Sequence, residues 1–333
     1  MDKTRNSYYM QRINWIDWAK ALGILLVVMG HSNYAQDDIN PMIFMIHMPL
    51  FFVVSGYLFK TDKGLKAITQ SNIRTLLIPY ILFNAIWMIY ILVTALIKLL
   101  LGIDPEWASF MDTLYQTVVG IPGDLFCGTS WFLLALIWCK YILYAFEMGG
   151  HLWKKVVIAI LWMATFIAIQ IYNPQSPLCF NAGVAGCLWF ATGYYIKKYR
   201  EKIHVSKWIW AIAIPIAFIA CLYVCRLQGN CNYLVGNVKG LWGLAGTAAG
   251  LVSFFGVCVL LDQFNSKLIM RISSASIVIM CLHMMVMINL QKAVHYQYHL
   301  GVTLLGDIAI VLILTAVFPL LQKYTPWLIG YRK

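Results

Sequence analysis

The sequence predicts an all-α integral membrane protein with ten transmembrane helices and both termini in the cytoplasm. Three observations carry that prediction. Of 333 residues, 61% are apolar and 11% charged, and the mean hydropathy is +0.74, which lies outside the soluble class. The apolar residues form ten runs, each near the roughly 20 helical residues that cross a hydrocarbon core of about 30 Å. The basic residues alternate in number between successive connections, as the excess of Lys and Arg in cytoplasmic loops requires.

The runs cover residues 14–34, 42–59, 75–100, 129–147, 155–172, 178–196, 208–225, 241–261, 274–291 and 303–322. The first follows Lys3, Arg5 and Arg12 and so resembles a signal peptide. Lys20 interrupts its apolar core and no small-x-small cleavage site follows, which reads as a retained anchor. The connection from Leu101 to Thr129 carries Asp104, Glu106, Asp112 and Asp124 but no basic residue, and its centre, WASFMDTLYQTVVG, is apolar enough to lie on the membrane surface. No soluble segment interrupts the runs, so residues 1–333 read as one polytopic domain.

With the N-terminus inside, 19 Lys and Arg residues fall on the cytoplasmic side. Three (Arg226, Lys239 and Lys292) fall outside, and Lys20, Lys98 and Lys140 lie within spans. The net charge of +12 is therefore an orientation signal, and no nucleic-acid partner is expected. The nine cysteines form no CxxC pair and no metal spacing with histidine, so no metal is expected. Cys127, Cys179, Cys225 and Cys231 fall near one side, and pairing among them is left open by the sequence.

Ionisable residues inside apolar runs mark the chemistry, because each is costly in lipid. Lys20 and His31 are eleven residues apart, three helical turns plus about 20°, and so share one face with a rise of about 16 Å. Asp17, one turn before Lys20, is expected to pair with it. His47 enters the second span from the outer side, at a depth similar to His31. Phe51 and Phe52 read as packing, and Ser55-Gly56 as a site of close helix approach. His283 lies mid-span in helix nine. Asp307, in the outer part of the last span, either orients a histidine or complements a helix N-terminus. Trp131, at the outer end of the fourth span, is either an interfacial anchor or a platform for a sugar ring. His151, His204, His295 and His299 lie in loops or at span ends and receive no role.

IDWAKALGILLVVMGH followed by HMPLFFVVSGYLF resembles the membrane acyltransferase-3 family, in its stand-alone sugar O-acetylase branch of fucose 4-O-acetylase type. The family's basic-x10-His motif falls on Lys20 and His31, and its FF-x-x-SG motif on Phe51, Phe52, Ser55 and Gly56. Its arginine before the third span falls on Arg74, its Trp-Phe-Leu element on Trp131, and its late-span histidine on His283. The resemblance implies transfer of an acyl group, usually acetyl from cytoplasmic acetyl-CoA, to a hydroxyl of a sugar or envelope glycan at the bacterial cytoplasmic membrane. It implies His31 as general base with His283 beside it, Lys20 and Arg74 on the donor, and Trp131 and Ser55 toward substrate; position alone adds His47 to the histidines and Asp307 to the substrate side. The competing class is an exporter of a glycan or lipid-linked sugar. That class predicts internal repeats with broken helices at matching positions, and the sequence shows none.

Overall fold

The computed structural model describes residues 12–32, 40–105, 107–202, 205–229, 231–294 and 300–330, and only the backbone of 291–294 and 300–302. Lys3, Arg5, His204, His295, His299, Arg332, Lys333 and most of the loop after His31 lie outside the described residues.

Each apolar run folds as a helix because a backbone in hydrocarbon must satisfy its own hydrogen bonds. The helices are α1 (Asn14–His31), α2 (Asn40–Leu58), α3 (Gly64–Asn72), α4 (Ile78–Leu100), α5 (Trp107–Val119), α6 (Trp131–Met148), α7 (Leu152–Tyr172), α8 (Phe180–Tyr199), α9 (Lys207–Gln228), α10 (Gly240–Leu260), α11 (Lys267–Val294) and α12 (Leu300–Tyr324). A π-helical turn, Ile73–Leu77, joins α3 to α4 without a break. It ends two residues before Pro79, whose missing N–H cannot bond the Thr75 carbonyl. A short 3-10 helix, Pro326–Ile329, follows α12.

Eight of these elements are long and apolar enough to cross a membrane. The two other long helices of the ten-span expectation, α1 and α8, fall short in hydropathy, and their position explains why. Half of α1 and half of α8 are buried against protein, whereas α7 buries only Phe166 and Ile169 and exposes Trp153, Ile160, Leu161, Ile167 and Ile171. Central helices need not be greasy, because protein covers them; peripheral helices must be.

Glycine sets the closest approach at the centre. A Cβ on Gly56 would land on the Phe190 carbonyl oxygen, and one on Gly193 on the Val53 carbonyl. The Ser55-Gly56 step is thus a close contact between α2 and α8, as read from the sequence. The N-terminal end of α1 is tied to the α10–α11 connection: Asn14 Nδ2 donates to Phe264 O (3.1 Å), and Trp18 Nε1 to the same carbonyl (3.0 Å). Helix α5 turns Trp107, Met111, Tyr115 and Val118 outward along one exposed stripe. An apolar stripe of that kind suits a bilayer surface, the place expected for this segment. All nine cysteines are buried and unpaired.

Candidate active site

Two cavities lie one above the other along α2 and α6. The first, about 290 Å³, is lined by His31 and Val27 of α1, Phe44 and His47 of α2, and Trp131 of α6, together with Thr129 and Tyr233. The second, about 390 Å³, is lined by Ser55, Lys60, Lys63, Asn72, Thr75 and Lys140 among others. Between them stand Phe51 and Phe52 of α2 against Phe132 of α6, with ring centroids 6.1 and 4.9 Å apart. Gly23 of α1 faces Phe51: a Cβ there would come to 3.3 Å from its ring tip.

The histidines are oriented alike. His31 Nδ1 lies 2.8 Å from Val27 O, His47 Nδ1 2.6 Å from Ile43 O, and His283 Nδ1 2.9 Å from both Ile279 O and Met280 O. A carbonyl oxygen only accepts, so in each ring Nδ1 carries the proton, and the neutral ring keeps its lone pair on Nε2. Each helix thereby uses its own backbone to fix the tautomer. The His31 and His283 rings stand 5.0 Å apart, edge to face. Phe44 bridges the other two, 6.1 Å from His31 and 5.1 Å from His47. His283 is fully buried behind His31, and its Nε2 has no hydrogen-bond partner among the described residues.

Among the described residues Asp307 makes no hydrogen bond to a histidine. Its carboxylate accepts from Ser32 Oγ at 2.9 Å, the residue after His31, and so ties α12 to the end of α1. Trp131 is only 6% exposed and forms part of the histidine cavity wall, so it is not an interfacial anchor. Ser55 lies in the lysine cavity, away from the histidines.

The expected Asp17–Lys20 pair does not form. Asp17 is taken by Arg12 (3.1 Å) and by Ser273 Oγ (2.5 Å). Helix α11 packs along α1 and supplies a partner that one-helix spacing could not reveal. Lys20 has no ion pair or hydrogen bond among the described residues and lines neither cavity. Arg74 sits inside the π-helical turn, between the cavity-lining Ser71 and Thr75, with its Nε buried and unpartnered among the described residues. Single π turns of this kind recur at functional sites.

Sequence reasoning missed Thr129, Tyr233 and the α9–α10 loop that closes the histidine cavity. Gln170 of α7 grips that loop with two bonds, Nε2 to Gly236 O (2.7 Å) and Oε1 from Val238 N (2.9 Å). Tyr233 accepts from Trp189 Nε1 at 2.8 Å and lies 3.2 Å from Thr247 Oγ1. Burial pushes its phenol well above the usual range, so the hydroxyl stays protonated. The one signal available beforehand was a glycine at position 236, the residue type a turn favours; in the structure its φ is 80°. Among the described residues no group of three or more His, Cys, Asp or Glu is placed to hold a metal ion.

The acyltransferase domain profile (Acyl_transf_3) matches residues 13–321, nearly the whole chain. The chain belongs to the acyltransferase-3 family. It is also similar to the nodulation protein NolL of Mesorhizobium japonicum, at 28% identity over 221 residues. That alignment covers 62% of this chain and 54% of the relative, so the chain spans about half the length of the curated protein it matches. No solved structure matches. The chain is thus a member of this family built of membrane-type helices, and His31, His47 and Trp131 line one of its cavities.

Proposed function

We propose that this protein is a membrane O-acyltransferase of the sugar-modifying branch. It moves an acyl group, acetyl in the usual case, from acyl-CoA to a hydroxyl of a sugar or envelope glycan in the bacterial cytoplasmic membrane. One observation carries the reading: His31 and His47, each with Nδ1 on a carbonyl of its own helix, line one cavity, and Lys60, Lys63 and Lys140 line a second further along α2 and α6, with Phe51, Phe52 and Phe132 in the stretch between.

The reaction needs a base for the hydroxyl, and His31 supplies it. The acceptor hydroxyl donates to His31 Nε2 and its oxygen attacks the thioester carbonyl while Nε2 takes the proton. Collapse of the tetrahedral intermediate breaks the C–S bond, and the imidazolium returns the proton to the departing thiolate. Such a positioned base contributes about 10²–10⁴-fold.

The remaining residues position the reactants. His283 stands against the His31 ring, and Asp307 holds the end of α1 through Ser32. His47, Trp131 and Tyr233 wall the acceptor side, where aromatic faces suit a sugar ring. Lys20, on the His31 stripe, and Arg74, at the lysine cavity, supply positive charge toward the donor, with Ser55 beside it. Ten spans and cytoplasmic termini complete the reading and place the lysine cavity on the side where acyl-CoA is made.

The test is mass analysis of envelope polysaccharides from cells carrying the intact protein, the His31→Gln variant, or neither. The proposal expects an acetyl-sized substituent present only with the intact protein. Identical glycans in all three strains would reject it.

A further inference from the structure

The lysine cavity carries more hydrogen-bond donors than its walls use. Lys140 Nζ reaches Asn72 Oδ1 at 3.1 Å, and among the described residues it has no carboxylate partner. Asn72 is 2% exposed, and its Nδ2 has no partner among the described residues. Lys60 and Lys63, before α3, line the same cavity. A buried donor without an acceptor, as at Asn72, is costly, and a part-buried ammonium without a counter-charge, as at Lys140, adds to that cost. Lys140 and Asn72 come from helices 68 positions apart in sequence, so a merely local snorkelling role does not account for them. The chemistry that matches such a set of donors is an oxyanion.

We propose that Lys140 and Asn72 form an anion clamp that takes the diphosphate of the acyl donor, with Lys60 and Lys63 meeting its outer phosphate. The proposal rests on the donor reading above and adds where that donor is held. The distance fits. From Trp131, in the histidine cavity, to Lys140 the rise along α6 is about 13.5 Å, and from His47 to Ser55 along α2 it is about 12 Å. The arm between thioester and diphosphate has the length of roughly four extended peptide units, about 14 Å. A diphosphate at Lys140 therefore brings the thioester to His31, with the arm passing the Phe51, Phe52 and Phe132 rings. Neither Lys20 nor Arg74 lines this cavity, so the clamp is a contact that the family motifs do not include.

The test is calorimetric titration of the purified full-length protein in phospholipid-free detergent with CoA, dephospho-CoA and pantetheine. Lys140→Met should raise the Kd for CoA and dephospho-CoA about ten- to a hundredfold, the worth of one charge-assisted contact, and leave pantetheine unchanged. Asn72→Asp places a carboxylate beside Lys140, which keeps the ammonium paired and the fold intact but repels phosphate. It should weaken CoA at least as much, and it decides the matter if Lys140→Met does not fold. Unchanged CoA affinity in the folded variants, or equal losses for CoA and pantetheine, would overturn the clamp while leaving the donor reading in place. Displacement of CoA by phosphatidylglycerol, lost in Lys140→Met, would reassign the clamp to a lipid headgroup and overturn it. A wild-type protein that binds none of the three probes overturns the donor reading and the clamp with it.

Discussion

Replacing His283 by Met should separate stability from activity. His283 is fully buried, its Nδ1 faces two carbonyls, and its Nε2 has no partner among the described residues. A buried polar atom left unsatisfied costs about 1–3 kcal/mol, a penalty that persists where function needs the group. Methionine is similar in size, adapts its shape and removes the orphan nitrogen. It also removes the Nδ1 interaction, worth about 0.5–1.5 kcal/mol, from carbonyls that lie inside α11. The balance is stabilising by about 1 kcal/mol, so thermal unfolding in detergent should show an unchanged or slightly raised Tm. Transfer should nevertheless fall about 10–100-fold, because the ring that stands 5.0 Å from His31 no longer holds it in place. The assay is release of CoA thiol at saturating donor, measured beside the melting curve. A loss of 2 kcal/mol or more in stability, together with normal transfer, would refute the reasoning and make His283 an ordinary packing residue.

Two further outcomes follow from the same geometry. In a cysteine-free background, Lys66→Cys should resist a membrane-impermeant thiol reagent in intact cells and react after permeabilisation; labelling of intact cells would contradict the cytoplasmic placement of the α2–α3 loop. Gly236→Ala should raise the acceptor KM and lower Tm, because φ is 80° there and the new Cβ would lie 2.7 Å from Asn181 O. Gly229→Ala, with φ of 70° but open space around it, should cost only the left-handed strain of about 1–2 kcal/mol and leave the KM alone; equal effects of the two would detach the loop from the acceptor wall.

The long helices were legible because hydrocarbon imposes a length and a composition that a linear sequence displays. The expected run 75–100 corresponds to a longer continuous helical stretch, 64–100, in which α3, the π-helical turn and α4 join, since Lys66 and Arg74 hid its polar first turns. Helices α1 and α8 were read as spans on length, yet their polar content reflects central burial that only packing displays. His31 and His47 were legible as neighbours because a hairpin places equal depths side by side. The partners of Asp17 and Asn72 were not. Ser273 lies 256 positions from Asp17, and which helix packs beside which is decided by small residues such as Gly56 and Gly193, whose effect appears only once the backbones touch. The acceptor wall at Tyr233 was hidden for a different reason: it is carried by a loop, and its position depends on two bonds from Gln170.

The central claim is that His31 acts as the base, and turnover of the His31→Gln protein at saturating acetyl-CoA and acceptor tests it most directly. Glutamine keeps a polar side chain of similar length near Val27 O but has no basic nitrogen. The account predicts a folded protein with donor affinity intact and kcat reduced about 10²–10⁴-fold. Near-normal kcat in the folded variant would contradict it and move the base to His47 or His283.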